Sequence, residues 1–187
     1  MPVADCGGFR IDTGSDEEIA RWVFSTAGQG LAQLARTIGT PGYLLKLCGS
    51  PEELGVVLPP QWTIQPLGYF MQATAEPPVK DLTGGYLSRV RRNGAVTYAQ
   101  ILSESGELAS DGYGVQTADV FIYDRIVTRP AHRRKGLATA LMTHLHLARN
   151  VPYGPEVLVA TEAGRALYET LGWETISPYS TALIEQS

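Results

Sequence analysis

Cysteine is nearly absent from this chain. Cys6 and Cys48 are the only two, and they show neither metal-ligand spacing nor a disulfide framework, so packing or exposed thiols are expected rather than nucleophiles. Histidine stops at three, His132, His144 and His146. The last two lie two places apart on one helical stretch and so face different ways; no metal is expected. No apolar run reaches about 18 residues, and the start, Met1-Pro2-Val3-Ala4-Asp5, lacks the basic and apolar regions of a signal peptide. A cytoplasmic protein without a membrane partner is expected. Positive charge is also in short supply, with a formal net charge of -4, so there is no global field for nucleic acid and no nucleic-acid partner is expected. No internal repeat or linker appears. What remains is an ordinary globular composition, 44% hydrophobic and 18% charged over 187 residues, which excludes a disordered chain and suits one domain, 1–187, as a monomer or homodimer.

One stretch carries most of the information, Asp124-Arg-Ile-Val-Thr-Arg-Pro-Ala-His-Arg-Arg-Lys-Gly-Leu-Ala-Thr-Ala-Leu-Met142. An apolar β-type run, Val120 to Thr128, enters a short basic loop. The loop opens at Gly136 into a helix with apolar Leu137, Leu141, Leu145 and Ala148. A helix start presents unpaired N–H groups and the positive end of the dipole. Arg133, Arg134 and Lys135 stand just before it, and Gly136 lets the backbone approach a bulky anion. Such a strand, loop and helix suit a phosphate or pyrophosphate. The motifs of nucleotide triphosphatases and dinucleotide folds are both missing.

Elsewhere the clearest signal is Tyr86 to Arg92, Asn93-Gly94, Ala95 to Leu102, alternating side chains around an Asn-Gly turn, a predicted hairpin. Phe9 to Asp12 reads as a first strand. Ser15 and Glu18 resemble a capping box opening a helix through Trp22 and Phe24. A second helix is predicted over Leu31 to Ile38 and a strand over Gly68 to Ala73. Residues 40–79 are otherwise hard to read, and Gly106 to Gly114 reads as a loop.

The basic loop, Arg133-x-x-Gly136-x-Ala138 after Ile126-x-Thr128-x-Pro130, resembles the acetyl-CoA signature of the GNAT superfamily of N-acetyltransferases. A second block, Val157-Leu-Val-Ala-Thr-Glu-Ala-Gly-Arg-Ala-Leu-Tyr-Glu-Thr-Leu-Gly-Trp173, is similar to that family's strand followed by Ala-Leu-Tyr-Glu-x-Leu-Gly-Phe. Two blocks in the right order and spacing carry the resemblance, which is close over about 120–173. It implies an α/β fold, a splayed central mixed sheet flanked by helices. It also implies acetyl-CoA as cosubstrate, and transfer of its acetyl group to the primary amine of a small molecule or peptide by direct attack.

The resemblance assigns roles. Ile126, Val127 and Thr128 would receive the pantetheine arm through backbone groups, one amide serving as oxyanion donor. Residues Arg133, Arg134, Lys135, Gly136, Leu137 and Ala138 would wrap the pyrophosphate. Tyr168 would assist the departing thiolate; as a plain helix aromatic it would pack with Leu167 and Leu171. Thr161 stands where many members carry an asparagine against the pantetheine arm, and it is able to cap the following helix. The position of the histone-type base is Ile122. Asp124, nominally on the same face, is the nearest carboxylate, with Asp119, Glu104, Glu162 or a water chain as alternatives and a salt bridge to Arg125 as its plainer role. His132 is expected beside the phosphates. The acceptor wall is expected from 31–79 and 104–114, with Trp62, Tyr69 and Tyr113 either lining a pocket or lying in the core. Two other classes stand beside this reading: a CoA-binding regulatory module without transferase activity, and a toxin-type acetyltransferase acting on aminoacyl-tRNA.

Overall fold

The computed structural model describes every residue except 1, 16, 77, 83, 152, 153 and 187. In chain order the elements are β1 (Val3–Asp5), β2 (Gly8–Asp12), β3 (Ala20–Phe24), α1 (Gln29–Thr37), β4 (Tyr43–Leu47), α2 (Pro51–Val57), β5 (Thr63–Ile64) and β6 (Gly68–Ala73). There follow β7 (Leu87–Asn93), β8 (Val96–Leu102), β9 (Leu108–Gln116), β10 (Phe121–Thr128), a 3-10 turn (Pro130–His132), α3 (Leu137–Leu147), β11 (Glu156–Thr161), α4 (Glu162–Thr170) and β12 (Trp173–Leu183). The chain divides into two compact units. The first comprises Met1–Phe70, Ala160–Ala163 and Thr175–Ser187; the second comprises Met71–Val159 and Gly164–Glu174. Among the described residues no helix is long and apolar enough to cross a membrane.

In the first unit β2 runs antiparallel to β3, and β3 runs parallel to β4, with α1 crossing between them. The far end of β12 pairs antiparallel with β4. Ala20, Trp22 and Phe24 point inward with Leu31, Leu45, Leu47 and Leu54. That alternation overturns the helix expected through Trp22 and Phe24. Ser15 accepts from the Glu17 amide, and Glu18 pairs with Arg21, so no capping box forms there. A capping box does form at Ser50 and Glu53, opening α2 with Pro51 in its first turn. It lies in the stretch that local pattern left unread. Trp62 is core, donating its indole N–H to the Ala35 carbonyl at 2.9 Å.

In the second unit β7 and β8 form the expected hairpin, continued by β9 and β10 in antiparallel order. β10 pairs parallel with β11. The helix α3 packs on β8, β9 and β10; its Leu137, Ala140, Leu141, Met142 and Leu145 are buried, as are Ala99, Ile101, Phe121 and Tyr123 on the strands. The loop expected at Gly106 to Gly114 is largely the strand β9. Its glycines serve packing rather than turning: a Cβ on Gly114 would stand 2.3 Å from the Phe121 ring.

The two units share one topology. In each, a strand pairs antiparallel with its predecessor and parallel with its successor, a helix crosses between, and a second helix follows. Both crossing helices begin Gly-Leu-Ala, at Gly30 and at Gly136, with the leucine buried. Beyond that triplet the matching positions differ in side chain. Leu34 and Ala35 of α1 stand where Ala140 and Leu141 stand in α3, and all four are buried.

Candidate functional site

The splay starts inside β10. Its parallel ladder with β11 covers only Phe121, Ile122 and Tyr123, opposite Glu156, Val157 and Leu158. Its antiparallel ladder with β9 shifts register between Asp124 and Val127. At this bulge Arg125 takes φ 51°, the left-handed region that a non-glycine residue enters at a cost in strain. Beyond Tyr123 the strand therefore runs to Thr128 with only β9 as ladder partner among the described residues. Ile126 and Thr128 are half-buried and Val127 is exposed. A strand edge of this kind leaves backbone groups for an extended ligand.

The chain then turns through Pro130–His132 and reaches α3. Arg134 and Gly136 both adopt positive φ, 64° and 75°. The first helical backbone bond runs from the Ala140 amide to the Gly136 carbonyl. No side chain caps the helix and no acidic residue lies in its first turn. The amides of Leu137, Ala138 and Thr139 therefore lack helical acceptors at the positive end of the dipole.

The basic residues divide by what their head groups already hold. Arg133 Nε donates to the Thr128 carbonyl at 3.3 Å. Lys135 Nζ donates to the Tyr86 hydroxyl at 2.9 Å and lies 5.5 Å over its ring. The same hydroxyl is 2.9 Å from His132 Nδ1. His132 Nε2 lies 3.6 Å from Glu107, beyond hydrogen-bond reach. His132 is buried, with its Nδ1 engaged by Tyr86. Arg134 makes no side-chain hydrogen bond or ion pair among the described residues. Lys80, unmarked in the sequence because it follows a stretch rich in proline, also belongs here. A Cβ on Gly136 would stand 2.4 Å from Lys80 Nζ. The Lys80 amide donates to Thr143 Oγ1 at 3.4 Å, which sets that segment beside α3.

Tyr168 lies on α4, in the second unit, 7% exposed. Its ring sits 5.9 Å from Trp173, and Trp173 sits 5.5 Å edge-on from Tyr123. Tyr123 is the last β10 residue paired with β11, and its hydroxyl donates to Glu156. Glu156 is held in turn by Arg149 at 2.7 Å and His146 at 3.0 Å. A buried aromatic and ionic chain thus ties α4 to the point where the two strands part. Burial alone pushes the Tyr168 phenol up to about 12. Leu167, expected beside it in a plain packing role, is exposed. Asp124 is exposed and lies 3.6 Å from Arg125, the plainer role foreseen for it. Thr161 ends β11 directly before α4. Among the described residues no cluster of His, Cys, Asp and Glu is placed to hold a metal ion. Cys6 and Cys48 are free.

A family model described as an acetyltransferase (GNAT) domain matches residues 91–175, from the hairpin through α4. The chain carries a GNAT acetyltransferase domain. That domain marks an acyltransferase, and the GNAT family uses acetyl-CoA as cosubstrate. The fold agrees over the whole chain. A GCN5-related N-acetyltransferase from Kribbella flavida is 13% identical with a TM-score of 0.67, over 100% of this chain and 90% of that one. A GCN5-related N-acetyltransferase-like protein from Streptococcus suis is 14% identical with a TM-score of 0.68, over 95% and 83%. A tandem GNAT protein from the clavulanic acid biosynthesis pathway is 14% identical with a TM-score of 0.61, over 96% and 80%. At such identities the likeness speaks for the GNAT fold alone. No curated protein matches the chain.

Proposed function

We propose that this protein is an N-acetyltransferase, residues 1–187 acting as one catalytic domain, that moves the acetyl group from acetyl-CoA to the primary amine of a small molecule or peptide. The observation that carries the reading is β10. It is bulged, paired with β11 over only three residues, and leads into an uncapped helix start behind a basic loop. The backbone of Ile126, Val127 and Thr128 receives the pantetheine arm. The pyrophosphate rests on the amides from Gly136 to Ala138, and Arg134 supplies the uncommitted charge beside Arg133 and Lys135. The amine nitrogen attacks the thioester carbonyl, and an amide of the bulged strand stabilises the oxyanion. Collapse of the tetrahedral intermediate expels the CoA thiolate, toward which Tyr168 donates its O–H. The proton lost by the amine passes to Asp124 or to solvent. The reaction needs neither an acetyl-enzyme nor a metal.

One acetyl-CoA per chain is expected, despite the repeated topology. In the first unit β3 stays paired with both neighbours over nearly its whole length. Residues 25–29 before Gly30 include no basic side chain. A Cβ on Gly30 would stand 1.8 Å from the Cys6 carbonyl oxygen, so the chain itself covers that helix start. Titration calorimetry with acetyl-CoA should give a stoichiometry near one, and a value near two would refute the closure of the first unit.

The decisive experiment for the reaction is release of free CoA from acetyl-CoA across a panel of polyamines, amino acids, aminoglycosides and peptides. Turnover with one class is expected, with mass spectrometry showing the acetylated amine. Tight acetyl-CoA binding with no release on any amine would instead favour a CoA-binding regulatory module.

A further inference from the structure

We propose that Ser110, Asp111 and Gly112 of β9 are positioning residues for the transfer step, forming a mould that fixes the bulge of β10 and so aims its amides at the thioester. This rests on the reading of β10 as the wall of the acyl cleft. Three different contacts act on neighbouring residues. Ser110 is fully buried; its Oγ donates to the Val127 carbonyl at 2.8 Å and lies 3.0 Å from Thr128 Oγ1. Its single proton goes to the carbonyl, so the Thr128 hydroxyl donates to it in return. Asp111 stands directly opposite Val127. One of its oxygens accepts from Arg129 Nη2 at 3.1 Å, the other from the Tyr98 hydroxyl at 3.0 Å. Gln100 donates to that hydroxyl at 3.1 Å and steadies it. The Arg129 amide is bound by the Ala109 carbonyl at 2.9 Å. The exit of the bulge is thus held at consecutive residues, 127, 128 and 129, by contacts from β9.

Gly112 acts through space rather than through backbone freedom, since its φ is not positive. A Cβ there would stand 2.5 Å from Ile126 Cδ1 and 3.3 Å from Ile126 Cα and Leu141 Cδ2. The missing side chain is the hollow into which the extra residue of the bulge folds. A strand that has left β11 and carries Arg125 at positive φ keeps one shape only if its surroundings impose it. The Ser-Asp-Gly run supplies those surroundings. Its glycine and polar residues read as loop in the sequence because they serve another strand rather than their own.

The consequence concerns rate more than cofactor binding. Most of the anchoring of acetyl-CoA falls on the loop before α3, whereas the bulge sets where one amide meets the developing oxyanion. Misplacing a catalytic contact by about 1 Å costs on the order of 100-fold. Gly112→Ala should therefore lower kcat by about 10- to 100-fold, with the acetyl-CoA dissociation constant within about threefold. Adding Ile126→Val deletes the Cδ1 that the new Cβ meets, so Gly112→Ala/Ile126→Val should recover most of the lost kcat. Ser110→Ala should lower kcat by roughly 5- to 50-fold, and Ile126→Val should not rescue it, because the lost contact is a hydrogen bond. The assay is CoA release with the panel amine on which wild type is fastest, alongside calorimetry with acetyl-CoA. A folded Gly112→Ala protein with kcat within twofold of wild type overturns the mould, as does a loss that Ile126→Val leaves untouched. Should Gly112→Ala fail to fold, Ser110→Ala decides, and wild-type kcat in it is equally fatal. Wild-type protein that releases no CoA with any amine would sink the acetyltransferase reading itself, which is a different failure.

Discussion

Replacing Gly136 by valine should abolish acetyl-CoA binding in a chain that still folds. Gly136 caps α3 at φ 75°, where a β-branched residue is strained, by roughly 1–3 kcal/mol. Domains of this size hold about 5–15 kcal/mol in reserve, so the cost is a lower melting temperature rather than collapse. The new Cβ would also meet Lys80 Nζ, the movable end of a long side chain. A phosphate held against the backbone has no such freedom. The added bulk stands where the pyrophosphate should approach the uncapped amides. A rise of at least about 100-fold in the dissociation constant is expected, roughly 2.7 kcal/mol. Calorimetry on a variant with native circular dichroism checks it. Unchanged affinity there would remove the loop from the cofactor site.

Removing only the Tyr168 hydroxyl should cost turnover and little else. Tyr168→Phe keeps the ring against Trp173, so acetyl-CoA affinity and melting temperature should barely move. If the hydroxyl serves the departing thiolate, kcat should fall by roughly 10- to 1000-fold. With its pKa pushed up to about 12, against about 8.5 for an ordinary thiol, the phenol gives a hydrogen bond more readily than a whole proton. It also stays protonated at every physiological pH, so the kcat profile should show no limb from Tyr168 below about pH 10. The sign for stability follows. The folded value lies above the ordinary 10.0, so the fold favours the protonated form. That contribution is complete below pH 10 and is lost as pH rises through 12. Alkaline unfolding should therefore be less steep between pH 10 and 12 in Tyr168→Phe than in wild type. Turnover within twofold of wild type would make Tyr168 a packing residue.

Local chemistry was enough for some of this molecule. The Asn93-Gly94 hairpin, the start of α3 and the strand and helix around Val157–Trp173 are legible because each depends on neighbours a few places away. The loop proposed for acetyl-CoA belongs with them, since that proposal rests on amides and charges carried within six residues. Trp22 and Phe24 misled because Ser15 and Glu18 offered a capping pattern that pairing with β2 and β4 overrode. The Ser50 box, a true cap, lay among prolines that hid the element it opens. Which basic head group is uncommitted depended on Tyr86, about fifty residues from Lys135.

Sequence by itself pointed to the GNAT resemblance, and it proposed the cofactor loop and the tyrosine worth testing, because those features are short-range and their residue types carry the chemistry. Only the tertiary structure decided that Gly112 is a hollow for Ile126, that Ser110 grips Val127 and that Cys6 covers the start of α1. Each of these joins residues 14 to 24 apart in the chain and works through shape or a single proton, and neither leaves a pattern along the sequence.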